Sequence, residues 1–250
     1  MKEKIIAIIP ARMGSSRFPG KPLKKINGKP MIQLVYENVK KNKKLSDVIV
    51  ATCDKVIYDF ILSIKGKVIM TSKKHKRASD RCSEALKKIE KKNRTKYDIV
   101  VMVQGDEPMI NHKMIDQSLR PMLKDKKIKI TNLMGIISNK KDFEDKNFIK
   151  LVHDKFNKAL YLSRSTIPLL KFNKKSNIKK QICVIPFRRD FLILYNRLQP
   201  TPLEKIESID MLRVLENGFA LHLVDTNYFS HAVDTKQDLL KVQKYLRKND

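Results

Sequence analysis

A chain of 250 residues, 42% of them hydrophobic, is long enough to bury a sizeable core as one large or two closely joined domains. Its 54 Lys and Arg against 26 Asp and Glu leave a formal charge of +28, but aromatics are only 7% and Trp is absent, so no stacking platform for nucleic acid accompanies the charge. No apolar run approaches the roughly 20 residues of a membrane span, and Cys53, Cys82 and Cys183 lie far apart without a C-x-x-C, which argues against a disulfide framework or a structural zinc site.

Met1-Lys2-Glu3-Lys4 leads into a strand rather than a signal peptide, so the expectation is a soluble, cytoplasmic protein with reduced cysteines and neither nucleic-acid nor membrane partners. Ile5 to Ile9, a continuous apolar run bounded by Pro10, predicts a buried parallel strand. The loop from Pro10 to Leu23 then gathers small residues, hydroxyls and cations. Ala11, Gly14, Ser15 and Ser16 let backbone N–H groups approach a polyphosphate, while Arg12, Arg17 and Lys21 supply charge-assisted hydrogen bonds to it. Neither the G-x-x-x-x-G-K-[ST] nor the G-x-G-x-x-G spacing is present, and a solvated basic turn is the plain alternative.

A helix is predicted from Pro30 to Lys40, with Met31, Leu34, Val35 and Val39 on one face, followed by a strand from Val48 to Thr52. A helix from Val56 to Ile64, a short strand from Lys67 to Met70 and a helix from Ser79 to Lys91, with Ser79 as N-cap, come next. Asp98 to Val103 is the strongest strand and runs into Gln104-Gly105-Asp106-Glu107-Pro108. Beyond it, Ile128 to Ile137 and Lys150 to Ser163 read as longer, hairpin-like strands, Pro202 to Leu215 as an amphipathic helix and Lys236 to Lys248 as a closing helix. Lys171 to Lys180 is the best candidate for a mobile loop. The alternation predicts an α/β fold with a doubly wound, mostly parallel sheet and ligands at the carboxyl ends of its strands. A single domain over 1–250 with an inserted region at about 155–200 fits the pattern.

Asp106 lies just past the strongest strand, and Asp234 sits in His231-Ala232-Val233-Asp234-Thr235 ahead of the last helix. Carboxylates at strand ends beside a polyphosphate cradle suit Mg²⁺, which takes few protein carboxylates plus phosphate oxygens. Turn or helix capping is the alternative for each.

The runs I-I-P-A-R-x-x-S-S-R-x-P-G-K-P-L (Ile8 to Leu23), N-G-K-P-M-I (Asn27 to Ile32), I-V-A-T (Ile49 to Thr52), V-Q-G-D-E-P-M-I (Val103 to Ile110), A-L-Y-L-S-R-S-T-I-P (Ala159 to Pro168) and V-D-T (Val233 to Thr235) occur in one order along essentially the whole chain. Together they resemble the 3-deoxy-manno-octulosonate (Kdo) cytidylyltransferase family, of the nucleotide-diphospho-sugar transferase type. The resemblance implies transfer of CMP from CTP to the anomeric hydroxyl of an acidic 2-keto-3-deoxy sugar with release of pyrophosphate, a step of lipopolysaccharide biosynthesis. It implies that Arg12, Ser15, Ser16, Arg17 and Lys21 hold the triphosphate, that Asp106 and Asp234 bind Mg²⁺, and that the protein is a homodimer.

The match thins on the acceptor side. Where the family usually shows H-x-S-G-T-[DE]-R, this chain has His75-Lys76-Arg77-Ala78-Ser79-Asp80-Arg81, and Gln181 stands where the family tends to have His. His75, Ser79 and Arg81 are thereby expected on the nucleotide, and Arg77 and Gln181 near the acceptor, as altered specificity or as drift. Gln104 beside Asp106 can bond a hydroxyl, Arg164 suits a sugar carboxylate, and Glu204 and Glu207 share one helix face, where helix-dipole complementarity explains them equally well. Kdo or a close relative, another anionic acceptor, and a noncatalytic polyanion-binding protein remain open, the last disfavoured by the pair of strand-end carboxylates. The apolar residues Leu160, Leu162, Ile167, Leu169, Leu170, Phe187, Phe191 and Leu192 are expected to form the dimer face.

Overall fold

The structure, a computed structural model, describes residues 3–15, 17–169 and 177–249. The chain divides into two compact units, Met1–Asp116 with Ser230–Asp250, and Gln117–Phe229. The region 155–200 expected as an insertion falls inside the second unit.

In the first unit β1 (Ile5–Ala11) is buried along its whole length, as its uninterrupted apolar run requires. It continues through Pro10, which was expected to bound it, and ends at Ala11 opposite Thr52. The short strands β2 (Lys25–Ile26) and β3 (Lys29–Pro30) form a hairpin that leads into α1 (Met31–Lys40), whose Met31, Ile32, Val35, Tyr36 and Val39 are buried. Then come β4 (Asp47–Thr52), α2 (Lys55–Ser63), β5 (Val68–Met70), α3 (Ala78–Asn93) and β6 (Ile99–Val103). These strands run parallel in the order β6-β1-β4-β5, an α/β arrangement of the expected class. Gly105, just past β6, abuts β1: a Cβ there would lie 3.0 Å from the Pro10 carbonyl oxygen and 3.1 Å from Ile32 Cδ1.

The division between units falls within α4 (His112–Lys124). The second unit is built on a mixed sheet of β7 (Thr131–Ile136), β8 (Lys150–His153), β9 (Ala159–Ser163), β10 (Lys179–Ile182) and β12 (His222–Asp225), in the order β12-β7-β10-β8-β9. Between them lie α5 (Lys140–Glu144), β11 (Val184–Arg188), α6 (Arg189–Tyr195), α7 (Pro202–Glu207) and α8 (Leu212–Glu216). The strand expected over Ile128 to Ile137 is β7, and that over Lys150 to Ser163 is the β8–β9 hairpin. The single helix expected from Pro202 to Leu215 is two, because Ser208 takes a left-handed conformation (φ 52°) that ends α7. The first unit closes with α9 (Lys236–Asn249).

Phe187, Phe191, Leu192 and Leu162, expected at a dimer face, are core residues of this second unit instead. Their rings pack together, Phe187 stacking on Phe191 at 6.5 Å and Phe191 meeting Phe219 edge-on at 5.0 Å. Leu160 and Leu169 are exposed and Ile167 is half-buried. Leu170 and most of the Lys171 to Lys180 segment lie outside the described residues. Cys53 and Cys82 are buried, and Cys183 is half-buried. No helix among the described residues is long and apolar enough to cross a membrane.

Candidate active site

The loop leaving β1 is closed by its own backbone. The Met13 carbonyl accepts hydrogen bonds from the N–H groups of Ser15 and Gly20, both at 3.0 Å, and Gly20 adopts φ 70°, which a side chain would disfavour. The Met13 N–H donates to Asp54 Oδ2 (2.8 Å), tying the loop to the end of β4. Ser15 Oγ accepts a long bond from the Phe18 N–H (3.4 Å). Ala11 is buried as the last residue of β1, and Arg12 is exposed. Ser16, expected in the cradle, lies outside the described residues.

A short 3-10 turn over Lys21–Leu23 then carries Lys21 toward the carboxyl ends of the strands. Its Nζ donates to Asp106 Oδ2 (2.6 Å), Asp234 Oδ1 (3.2 Å) and the Val233 carbonyl (3.1 Å). Arg17 Nη2 donates to the same Asp234 Oδ1 at 3.0 Å. Burial alone would pull the Lys21 pKa down, but the charges and hydrogen bonds of Asp106 and Asp234 outweigh it and hold the ammonium above its ordinary value. The structure thus gathers four residues singled out from three distant segments of sequence.

The two carboxylate loops are tied to each other and to the framework. The Val233 N–H donates to the Asp106 carbonyl (2.9 Å), and Ser230 Oγ donates to Glu107 Oε2 (2.6 Å) between buried residues. Asp238 Oδ2 accepts from the Thr235 N–H (2.9 Å), the Thr235 hydroxyl (2.7 Å) and the Asp234 N–H (3.2 Å), while its Oδ1 meets His231 Nε2 at 3.0 Å. These bonds outweigh burial and bring the Asp238 carboxyl down to about 2. An apolar cluster of Ile26, Met31, Val233 and Val242, with Phe18 and Met109 against it, fixes the same turn from below.

Along the segment from His75 to Arg81, α3 starts at Ala78 with Arg77 at the N-cap, so Ser79 lies in the first turn and does not cap it. The Ser79 hydroxyl is wholly buried and has no hydrogen-bond partner among the described residues. Arg81 is 3% exposed and donates to the Thr71 hydroxyl and the Ser72 carbonyl. His75 Nε2 pairs with Glu84, which also accepts from the Ser72 N–H and Lys88; these bonds overcome desolvation and hold the Glu84 carboxyl near 2. Gln104 is half-buried just past β6.

The acceptor-side expectations in the second unit meet the framework. Glu204 is wholly buried in a two-point ion pair, receiving Arg213 Nε at 2.7 Å and Nη2 at 2.6 Å. The Arg164 guanidinium donates to the carbonyls of Glu207 (2.9 Å), Lys146 (3.0 Å) and Ser208 (3.2 Å). Glu207 accepts from Ser163 Oγ (2.6 Å) and the Arg164 N–H (2.9 Å). Gln181 Nε2 donates to Asn132 Oδ1 (2.6 Å), and Asn132 in turn donates to the Ile182 carbonyl (2.7 Å).

Residues 6–226 match the cytidylyltransferase family. Two proteins named 3-deoxy-manno-octulosonate cytidylyltransferase are similar along nearly their whole length: that of Fusobacterium nucleatum is 39% identical over 99% of this chain and 98% of its own, and that of Geobacter metallireducens 42% identical over 97% and 98%. The chain belongs to the 3-deoxy-manno-octulosonate cytidylyltransferase family. A solved structure of a CMP:2-keto-3-deoxy-manno-octonic acid synthetase complexed with CTP superposes with a TM-score of 0.88 at 33% identity, covering 99% of this chain and 100% of that one.

Residues that hold this cytidylyltransferase's carboxylate loops in place went unread in the sequence. Asp238 carried a legible signal, since Thr235-x-x-Asp238 has the spacing of a reciprocal helix cap. Asp54 and the Glu107–Ser230 bond had none, because each joins segments remote in sequence.

Proposed function

We propose that the protein transfers CMP from CTP to the anomeric hydroxyl of Kdo or a closely related acidic 2-keto-3-deoxy sugar, releasing pyrophosphate, with Mg²⁺ as its cofactor. The observation that carries this reading is the convergence of Lys21 and Arg17 on Asp106 and Asp234 at the end of the β1 loop. Two carboxylates fit Mg²⁺, a hard ion that is satisfied by one or two protein carboxylates together with substrate phosphates and water. When bound, Mg²⁺ would withdraw charge from the α-phosphate and lower the pKa of the attacking hydroxyl.

The protein's own groups do the remainder. Arg12, Arg17 and Lys21, with the backbone of Ala11 and of the Ser15 turn, hold the β- and γ-phosphates in line and receive the charge that grows on departing pyrophosphate. The orphaned Ser79 hydroxyl supports nucleotide contact at the start of α3, with Arg81 and His75 shaping the turn around it. No covalent nucleophile is required. Gln104 and Arg77 are the remaining acceptor-side proposals. Gln181 in the place of the family's His favours a second reading, an acceptor whose anion is placed differently.

A homodimer in the cytoplasm completes the proposal. Phe156, Leu160, Leu169 and Ile206 are 67%, 62%, 99% and 79% exposed, an apolar display suited to a partner subunit. Pyrophosphate release from CTP with a panel of acidic sugars, with and without chelator, tests the activity; release undiminished in excess chelator, or none with any acidic sugar, would refute it. Sedimentation at micromolar concentration tests the dimer, and a monomer throughout would contradict it.

A further inference from the structure

The ammonium of Lys21 lies where the two carboxylate loops meet, 2.6 Å from Asp106 Oδ2, 3.2 Å from Asp234 Oδ1 and 3.1 Å from the Val233 carbonyl. Arg17 adds a second cation on Asp234 Oδ1 at 3.0 Å. The oxygens that suit a divalent cation are therefore the oxygens that protein cations already bond. The Lys21 side chain is only 13% exposed, and those of Asp106 and Asp234 are 20% and 19% exposed, so solvent screens the group weakly. An ammonium and a divalent ion on the same two carboxylate oxygens would repel each other at close range. Removing Lys21 without replacement would leave Asp106 without that cation and Asp234 with Arg17 alone.

We propose that Lys21 is a place-holding cation: it neutralises Asp106 and Asp234 until a triphosphate draws its ammonium away, so that nucleotide and divalent metal bind as one coupled event. The inference rests on the cytidylyltransferase reading and goes beyond it, since it gives Lys21 a role before the triphosphate arrives. A triphosphate supplies several anionic oxygens for Lys21 and Arg17, and their departure frees both carboxylates for the ion that the triphosphate brings. The coupling is reciprocal by linkage: what the metal gains from the nucleotide, the nucleotide gains from the metal. A metal ion alone must displace Lys21 with no new partner for its charge, so the protein without nucleotide resists loading. The bonds from Asp238 to the Asp234–Thr235 turn and from Val233 to Asp106 keep the carboxylates in place while the flexible lysine moves.

The test is a Mn²⁺ titration of nucleotide-free protein, read from the electron paramagnetic resonance signal of the free ion. Wild type and Lys21→Arg are expected to bind weakly and alike. Lys21→Met and Lys21→Gln, two neutral variants checked for folding by thermal melting, should bind at least about tenfold more tightly, a gain of about 1.4 kcal/mol. Adding Asp106→Asn to Lys21→Met should abolish that gain. Binding by both neutral variants no tighter than wild type would overturn the proposal. That result would leave the cytidylyltransferase reading standing, because pyrophosphate release by the wild-type protein tests it separately.

Discussion

Lys21 in the first unit and Arg213 in the second are both cations held by carboxylates, and they differ in what their partners have left to offer. Arg213 meets Glu204 at two points, with both side chains at most 3% exposed, and its remaining nitrogen reaches the carbonyls of Tyr195 and Leu198. Lys21 is a single ammonium shared between two carboxylates on separate loops, each still partly open to solvent. A carboxylate has about four lone-pair sites, so one shared ammonium leaves acceptor capacity that a forked, buried guanidinium does not. On the proposed reading, charged residues in the same chain divide into those that close a framework and those that wait for a ligand. Exposure and bond count, rather than residue type, separate the two.

The sharpest way to break this contrast is at the first cluster. Asp106→Ala and Asp234→Ala should each reduce pyrophosphate release by about 10²–10³-fold or more while the melting temperature changes little, because each removes an oxygen ligand from a turn rather than a core contact. Parallel kinetics and thermal melts check it, and full activity in both variants would contradict it. Glu204→Ala should do the opposite. Leaving Arg213 buried without its partner should cost about 3–5 kcal/mol and lower the melting temperature by roughly 10 °C, with the KM for the acceptor unchanged in the folded fraction. A stable variant with a raised acceptor KM would return Glu204 to the binding site.

Asp238 sharpens the comparison, since it is a framework carboxylate in the ligand-binding unit. Its hydrogen bonds from His231 and Thr235 depress its pKa from the ordinary 3.8 to about 2. The stability it contributes is therefore fully present above about pH 4 and is lost as the pH falls through about 2. Asp238→Asn should flatten that acid limb in pH-dependent melts and weaken Mn²⁺ binding in the presence of CTP several-fold, by loosening the Asp234 turn. The smallest effect belongs to the acceptor side: Arg77→Ser with Gln181→His should shift kcat/KM for Kdo, relative to other acidic sugars, by about tenfold if these positions set specificity. An unchanged ratio means that they do not.

These outcomes bear on what the sequence disclosed. Ile5 to Ile9 announced a buried central strand because nothing polar interrupts it, and a loop of three cations and several small residues announced an anion. Asp106 and Asp234 were legible as strand-end carboxylates. Their meeting at Lys21 was not, since 128 positions of numbering part the two acids and only the fold closes that distance. In the second unit the helical pattern from Pro202 to Leu215 does not show the break at Ser208, because a serine in a left-handed turn carries no compositional mark. Charge and spacing point to Arg164, Glu204 and Glu207 but do not reveal that a carbonyl or an ion pair already engages the side chain.

Gly105 gives the charge cluster a steric origin. The β6 exit lies so close against β1 that a Cβ at position 105 would stand 3.0 Å from the Pro10 carbonyl oxygen, a contact its neighbours could accept only by giving way a few tenths of an ångström. A methyl group there would have to be taken up by small shifts of β1, of Ile32 or of the turn that carries Asp106, the partner of Lys21. The electrostatics of this protein are in that sense tied to volume: Asp106 reaches Lys21 from a turn whose packing leaves little room for one more methyl.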